Sequence, residues 1–96
     1  IYKVVSDGAG SSRMFEVRGP LMVSGKDEDY DKATMKVDIW QKDVKIINDF
    51  ANSLDCPTPL FSAAAQLYRA AMAQGRAKQD TASVCSILEE WAQLKR

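Results

Sequence analysis

Apolar residues recur along this chain at spacings of three and four, and no stretch alternates with period two for long enough to form a strand. The pattern predicts an all-α chain, four or five helices in a bundle with short connections. The clearest amphipathic run is Val37 to Leu54. At about 100° per residue, Val37, Ile39, Trp40, Val44, Ile46, Ile47, Phe50, Ala51 and Leu54 fill one half of the helix. Asp38, Gln41, Lys42, Lys45, Asn48, Asp49, Asn52 and Ser53 fill the other. Asp43 is the only polar residue in the apolar half, and Lys42 sits beside it at the border. A carboxylate on a core face is costly unless something pairs with it. Lys42 and Asp43 are therefore the first candidates for a functional site. The structural alternative is that Lys42 pairs with Asp38 and Asp43 bonds to a buried backbone group or hydroxyl.

The remaining elements are read from their punctuation. Ile1 to Asp7 reads as the end of a helix with Val4 and Val5 on its buried side, closed by a left-handed Gly8. Ser11 or Ser12 caps a short helix from Arg13 to about Arg18, ended by Gly19-Pro20. Leu21 to Ala33 has no clean period, and Lys26 to Lys32 reads as a solvated charged loop. Asp55-Cys56-Pro57 stops the amphipathic run, because a residue before proline disfavours the α region. Thr58 supplies a capping hydroxyl and Pro59 the first helical position. The helix Pro59 to Gln74 shows Leu60, Phe61, Ala64, Ala65, Leu67, Tyr68, Ala71 and Met72 on one broad face, its alanines inviting close approach by a neighbour. Gly75 closes it. Asp80 or Thr81 caps the last helix, whose stripe is Val84, Ile87, Leu88, Trp91 and Leu94, with Cys85 on its flank. Trp40 and Trp91 read as core anchors.

Composition narrows the function. The 96 residues suffice for a single domain, residues 1–96. Thirteen basic and thirteen acidic residues cancel, which argues against a nucleic-acid surface and against a polybasic membrane anchor. No apolar run approaches the length of about 20 residues that a bilayer requires. There is no histidine, so histidine-based catalysis is excluded, and two cysteines fall short of a zinc site. No metal site is predicted. Cys56 and Cys85 read as reduced thiols of a cytoplasmic protein. Gly8-Ala9-Gly10-Ser11-Ser12 meets neither the Walker pattern nor the dinucleotide fingerprint, and reads as a turn. With Ile1 in first place, the chain is expected to be a piece of a larger polypeptide.

Four segments in order resemble the C-terminal helical domain of the β-hydroxyacid dehydrogenases, the 3-hydroxyisobutyrate dehydrogenase-like family. Gly8-Ala9-Gly10-x-Ser12-x-Met14 with Arg18-Gly19-Pro20-x-Met22 is most similar to its L-threonate dehydrogenase branch. Val37 to Val44 resembles the family's helix containing a Lys-Asp pair, and Pro57-Thr58-Pro59-Leu60 its Pro-x-Pro-Leu start to the next helix. Gln74 to Val84 resembles its Gly-x-Gly-x-x-Asp-x-Ser-Ala-Val stretch. Two departures stand out: Ala77 replaces the second glycine of that stretch, and Met35 replaces the phenylalanine usual ahead of the Lys-Asp helix.

The resemblance implies a helical bundle like the C-terminal domain of 6-phosphogluconate dehydrogenase-like enzymes, with an NAD(P)-binding Rossmann domain on the N-terminal side. It implies hydride transfer between nicotinamide and a small β-hydroxyacid, with NAD or NADP bound mainly by the other domain. The general acid/base lysine is expected upstream of Ile1, so no catalytic residue is assigned here. Lys42 is implied to bind the cofactor, Asp43 to support the cleft, and the helical faces to build a homo-oligomer. The 96 residues alone are expected to be inactive. The rival reading is a stand-alone helical dimerisation or protein-interaction module.

Overall fold

The computed structural model describes residues 1–96 as six α-helices. They are α1 (Tyr2–Asp7), α2 (Arg13–Ser24), α3 (Asp27–Tyr30), α4 (Val37–Ser53), α5 (Pro59–Ala73) and α6 (Val84–Trp91), with a 3-10 turn at Thr81–Ser83 ahead of α6. Strands are absent, apart from one isolated antiparallel bridge between Lys36 and Asp80.

The first half departs from its sequence punctuation. Ser12 caps α2 as predicted, accepting from the Phe15 N–H at 3.0 Å, but the helix runs through Gly19-Pro20 to Ser24. Pro20 deprives the helix of one N–H donor; packing against α1 carries the helix across that gap. The Tyr2 ring stacks on Phe15 at 5.3 Å and lies so close to Gly19 that a Cβ there would stand 2.5 Å from Tyr2 Cε2. Gly19 is thus a packing surface, and the left-handed residue that ends α2 is Gly25, at φ +67°. Gly8 is extended instead (φ −111°, ψ −172°), and Val4 points to solvent while Val5 is half-buried. The charged segment also folds: its acids occupy the first turn of α3, where a helix N-terminus favours them, and Tyr30 at its end is wholly buried.

The second half follows the pattern more closely. Val37, Ala71 and Ile87, all fully buried, make the centre where α4, α5 and α6 meet, with Tyr68 and Ala70 against it. An alanine at that centre lets the helices approach closely, as the alanine-rich face suggests. Trp40 is half-buried and meets Phe61 and Tyr68 edge-on, at 6.5 and 6.0 Å. Pro59 takes the first position of α5, although the Thr58 hydroxyl makes no capping bond and lies 3.4 Å from Ser62. Gly75 (φ +81°) closes the helix, with the Arg76 N–H donating to the Ala71 carbonyl. Asp55 does the same for α4 at φ +52°, its Cys56 neighbour donating to the Ala51 carbonyl. A short polar side chain tolerates that conformation.

The apolar half of α4 is not a core face throughout. Only Val37, Val44 and Ala51, spaced by sevens, are buried. Ile39, Ile46, Ile47, Phe50 and Leu54 are exposed. On α6 Ile87 is buried, but Leu88, Trp91 and Leu94 are exposed, so Trp91 is not a core anchor. The accessible surface is 6704 Å², against about 5,500 Å² for a folded monomer of this mass. The radius of gyration is 14.3 Å, against about 12.5 Å for this length. Both excesses mean that these helices carry apolar surface they do not bury among themselves.

Candidate functional site

Lys42 lies five residues into α4. Its possible partner one turn back, Asp38, is taken by Lys78 at 2.6 Å, and Lys45 is taken by Asp49 at 2.6 Å. Lys42 is exposed and has no acid partner, so the pairing with Asp38 does not form and its ammonium is available to a ligand. Asp43 is half-buried. By the helical angle it falls between Leu54 and Phe50, in the exposed stripe rather than over the Val37–Val44–Ala51 seam. The sequence pattern places this carboxylate on the core face; the structure places it on the open one, because three residues spaced by sevens are enough to seat α4. Neither residue lines a cavity of this chain. One of two openings of about 290 Å³ each, between α2, α4 and α5, is lined instead by Met14, Arg18, Met35, Trp40, Tyr68 and Thr81.

A consequence for stability follows. A hydrated carboxylate in an open stripe costs the fold little, so Asp43→Ala should change the stability of this chain by no more than about 0.5 kcal/mol. Denaturant melts of the two proteins check this, and a loss of several times that size would return Asp43 to the core.

What fixes the front of α4 is a network that the sequence pattern does not reveal. Lys36 precedes the helix and offers no capping side chain, so the first N–H groups need other acceptors. Val37 N–H donates to the Gln79 carbonyl at 3.0 Å and Asp38 N–H to the Ala77 carbonyl at 2.9 Å. In return the Thr81 N–H donates to the Met35 carbonyl at 2.9 Å. Behind this clip Asp80 is wholly buried. Its Oδ2 accepts from Thr34 N–H (3.0 Å), the Thr34 hydroxyl (3.1 Å) and Met35 N–H (3.3 Å). Its Oδ1 accepts from Ala82 N–H at 2.8 Å and faces Arg18 Nε at 3.4 Å. Arg18 Nε also donates to the Thr81 hydroxyl at 2.8 Å. Burial pushes the Asp80 carboxyl up. The N–H groups of Ala82, Thr34 and Met35, with the Arg18 charge, outweigh burial and hold it below its ordinary value.

Asp80 thus keeps its predicted role as a cap and adds a second one, as the anchor of the segment leading into α4. The pairing of Arg18 with Asp80 spans 62 positions, and only the fold brings the two together. Cys56 and Cys85 are free thiols. Burial, the largest influence, and the Glu89 carboxylate push the Cys85 thiol up, which makes it a poor nucleophile. No helix is long and apolar enough to cross a membrane.

This arrangement is an all-α unit with a clipped helix, a free lysine and an uncovered apolar stripe beside it. Residues 1–88 match the family described as NAD-binding of NADP-dependent 3-hydroxyisobutyrate dehydrogenase. The chain belongs to that family, whose cofactor is NAD or NADP. It is 40% identical over 87 residues to L-threonate dehydrogenase of Haemophilus influenzae, covering 91% of this chain and 28% of that protein. It is 30% identical over 89 residues to the chloroplastic glyoxylate/succinic semialdehyde reductase 2 of Arabidopsis thaliana, covering 93% of this chain and 24% of that protein. The crystal structure of a 3-hydroxyisobutyrate dehydrogenase from Salmonella typhimurium superposes with a TM-score of 0.79 at 38% identity, over 90% of this chain and 29% of the other. The chain therefore spans about a quarter of the length of these relatives.

Proposed function

We propose that this chain is the helical portion of a cytoplasmic NAD(P)-dependent dehydrogenase acting on a small β-hydroxyacid of the 3-hydroxyisobutyrate or L-threonate type. The observation that carries the reading is the family match across residues 1–88, together with relatives named for such substrates. The dinucleotide supplies the hydride chemistry. The residues present suit it: Lys42 is an exposed cation without an acid partner, and such a group donates charge-assisted hydrogen bonds to phosphate or amide oxygens. Lys42 would hold the cofactor, and Asp43 beside it would support the wall of the cleft once another body covers the stripe. A carboxylate under that cover needs a donor, which makes Asp43 useful for orienting groups across the boundary. No general acid/base is assigned among these residues; that lysine belongs to another part of the parent enzyme.

A second reading is favoured by one observation. The excess surface and the exposed stripe Ile39, Ile46, Ile47, Phe50 and Leu54 suit a helical module that docks on a partner chain. The two readings overlap where the parent enzyme is a homo-oligomer joined through these helices. They separate by assay. The parent protein, supplied with NAD or NADP and a panel of β-hydroxyacids including L-threonate and 3-hydroxyisobutyrate, should reduce the nicotinamide, while the 96 residues alone should not. A parent without such activity, or turnover by the 96 residues alone, would overturn the enzyme reading.

A further inference from the structure

We infer that Asp80 is a positioning residue for Lys42: by holding Thr34, Met35 and the clip over the first turn of α4, it sets the bearing of the helix that carries the lysine. The inference rests on Lys42 meeting the dinucleotide as proposed above. Asp80 does not reach Lys42; it acts through the backbone. Its Oδ2 gathers three donors from Thr34 and Met35, in the segment leading into α4, and its own N–H donates to the Tyr30 carbonyl at 2.8 Å. The carbonyls of Ala77 and Gln79, just before Asp80 in the chain, receive the first two N–H groups of α4. Arg18 and Ala82 fix the opposite side of the carboxylate. Lys42 lies about 7.5 Å along the axis from Val37. Beyond the clip α4 is seated by Trp40 against Phe61 and Tyr68 and by buried Val44, so Lys42 lies on the stretch whose bearing the clip and that seat set together. Loosening the clip leaves only the seat beyond it, and the helix can pivot there, which moves the lysine.

An amide cannot replace this carboxylate. Thr34 and Met35 present donors to one oxygen, Ala82 and Arg18 to the other, and asparagine has a single acceptor oxygen beside an NH₂ group. Asp80→Asn keeps the shape and loses one half of the network.

The test is a double-mutant cycle in the parent enzyme, read as the Kd of the dinucleotide by fluorescence titration without substrate and, in parallel, as its KM. Asp80→Asn should raise both by about fivefold or more when Lys42 is present, and by less than about twofold in the Lys42→Ala background, because interacting positions depart from additivity. Thr34→Val removes one side-chain donor and leaves every backbone bond, so it should fold and show a smaller effect with the same dependence on Lys42; should Asp80→Asn fail to fold, Thr34→Val carries the cycle. Effects that multiply independently would mean that Asp80 supports only the fold, and would overturn the inference. A Lys42→Ala enzyme with unchanged kinetics would overturn the reading of Lys42 itself, and this inference with it, by a different signature.

Discussion

Arg18→Ala will destabilise the fold by about 3–5 kcal/mol, the cost of removing one partner from a buried ion pair. The Arg18 side chain is 14% exposed and the Asp80 side chain 0%, so the variant leaves a buried carboxylate without its cation. Thr81 loses its donor in the same step. Thermal melts of the parent enzyme at neutral pH check the loss; a melting temperature within a degree or two of wild type would show that the network stands without its cation. Acid adds an independent check. Asp80 is held below the ordinary aspartate value of 3.8 in the folded chain. Its contribution is therefore full above that value and lost as pH falls through the lower folded one. Without Arg18 the folded value rises toward the unfolded one, so the variant should lose less further stability than wild type as pH falls through this range.

Lys42→Ala will raise the KM for the dinucleotide, or lower kcat, by about ten- to a hundredfold, the scale of one hydrogen bond to a charged group. Because Lys42 is exposed and unpaired within the chain, the melting temperature should stay unchanged. Steady-state kinetics with NAD and NADP, paired with a melt, separate the two effects. Wild-type kinetics would remove Lys42 from the site.

Much of the fold is legible in the sequence where the signal is local. The amphipathic period of Val37 to Leu54, Pro59 at a first helical position and Gly75 past a last one act over a few residues, and each takes its predicted place. Pro20 misleads because its local cost is met by a contact from another helix, the Tyr2 ring over Gly19. Tyr30 is hidden for a similar reason: a single aromatic among six charged neighbours looks solvated until the turn after Gln79 closes over it. The helical wheel shows correctly that one half of α4 is apolar. It cannot show how much of that half this chain covers itself, and Asp43 falls in the part left open.

The candidate site is legible in the same uneven way. Lys42 stands out by its border position and by resemblance. Arg18 and Asp80 fall in segments of the same resemblance, but their pairing does not show, since a pair formed across 62 positions has no period and no spacing. What the structure adds is the means by which the lysine's helix is aimed, built from backbone groups that no side-chain pattern encodes.

The account depends above all on where Lys42 points once the rest of the parent enzyme is present. A crystal structure of the full-length parent with NAD or NADP bound tests that directly. Lys42 Nζ should lie at about 3 Å from an oxygen of the dinucleotide, with the stripe from Ile39 to Leu54 covered by protein. A lysine directed into bulk solvent, out of reach of the bound cofactor, would contradict it.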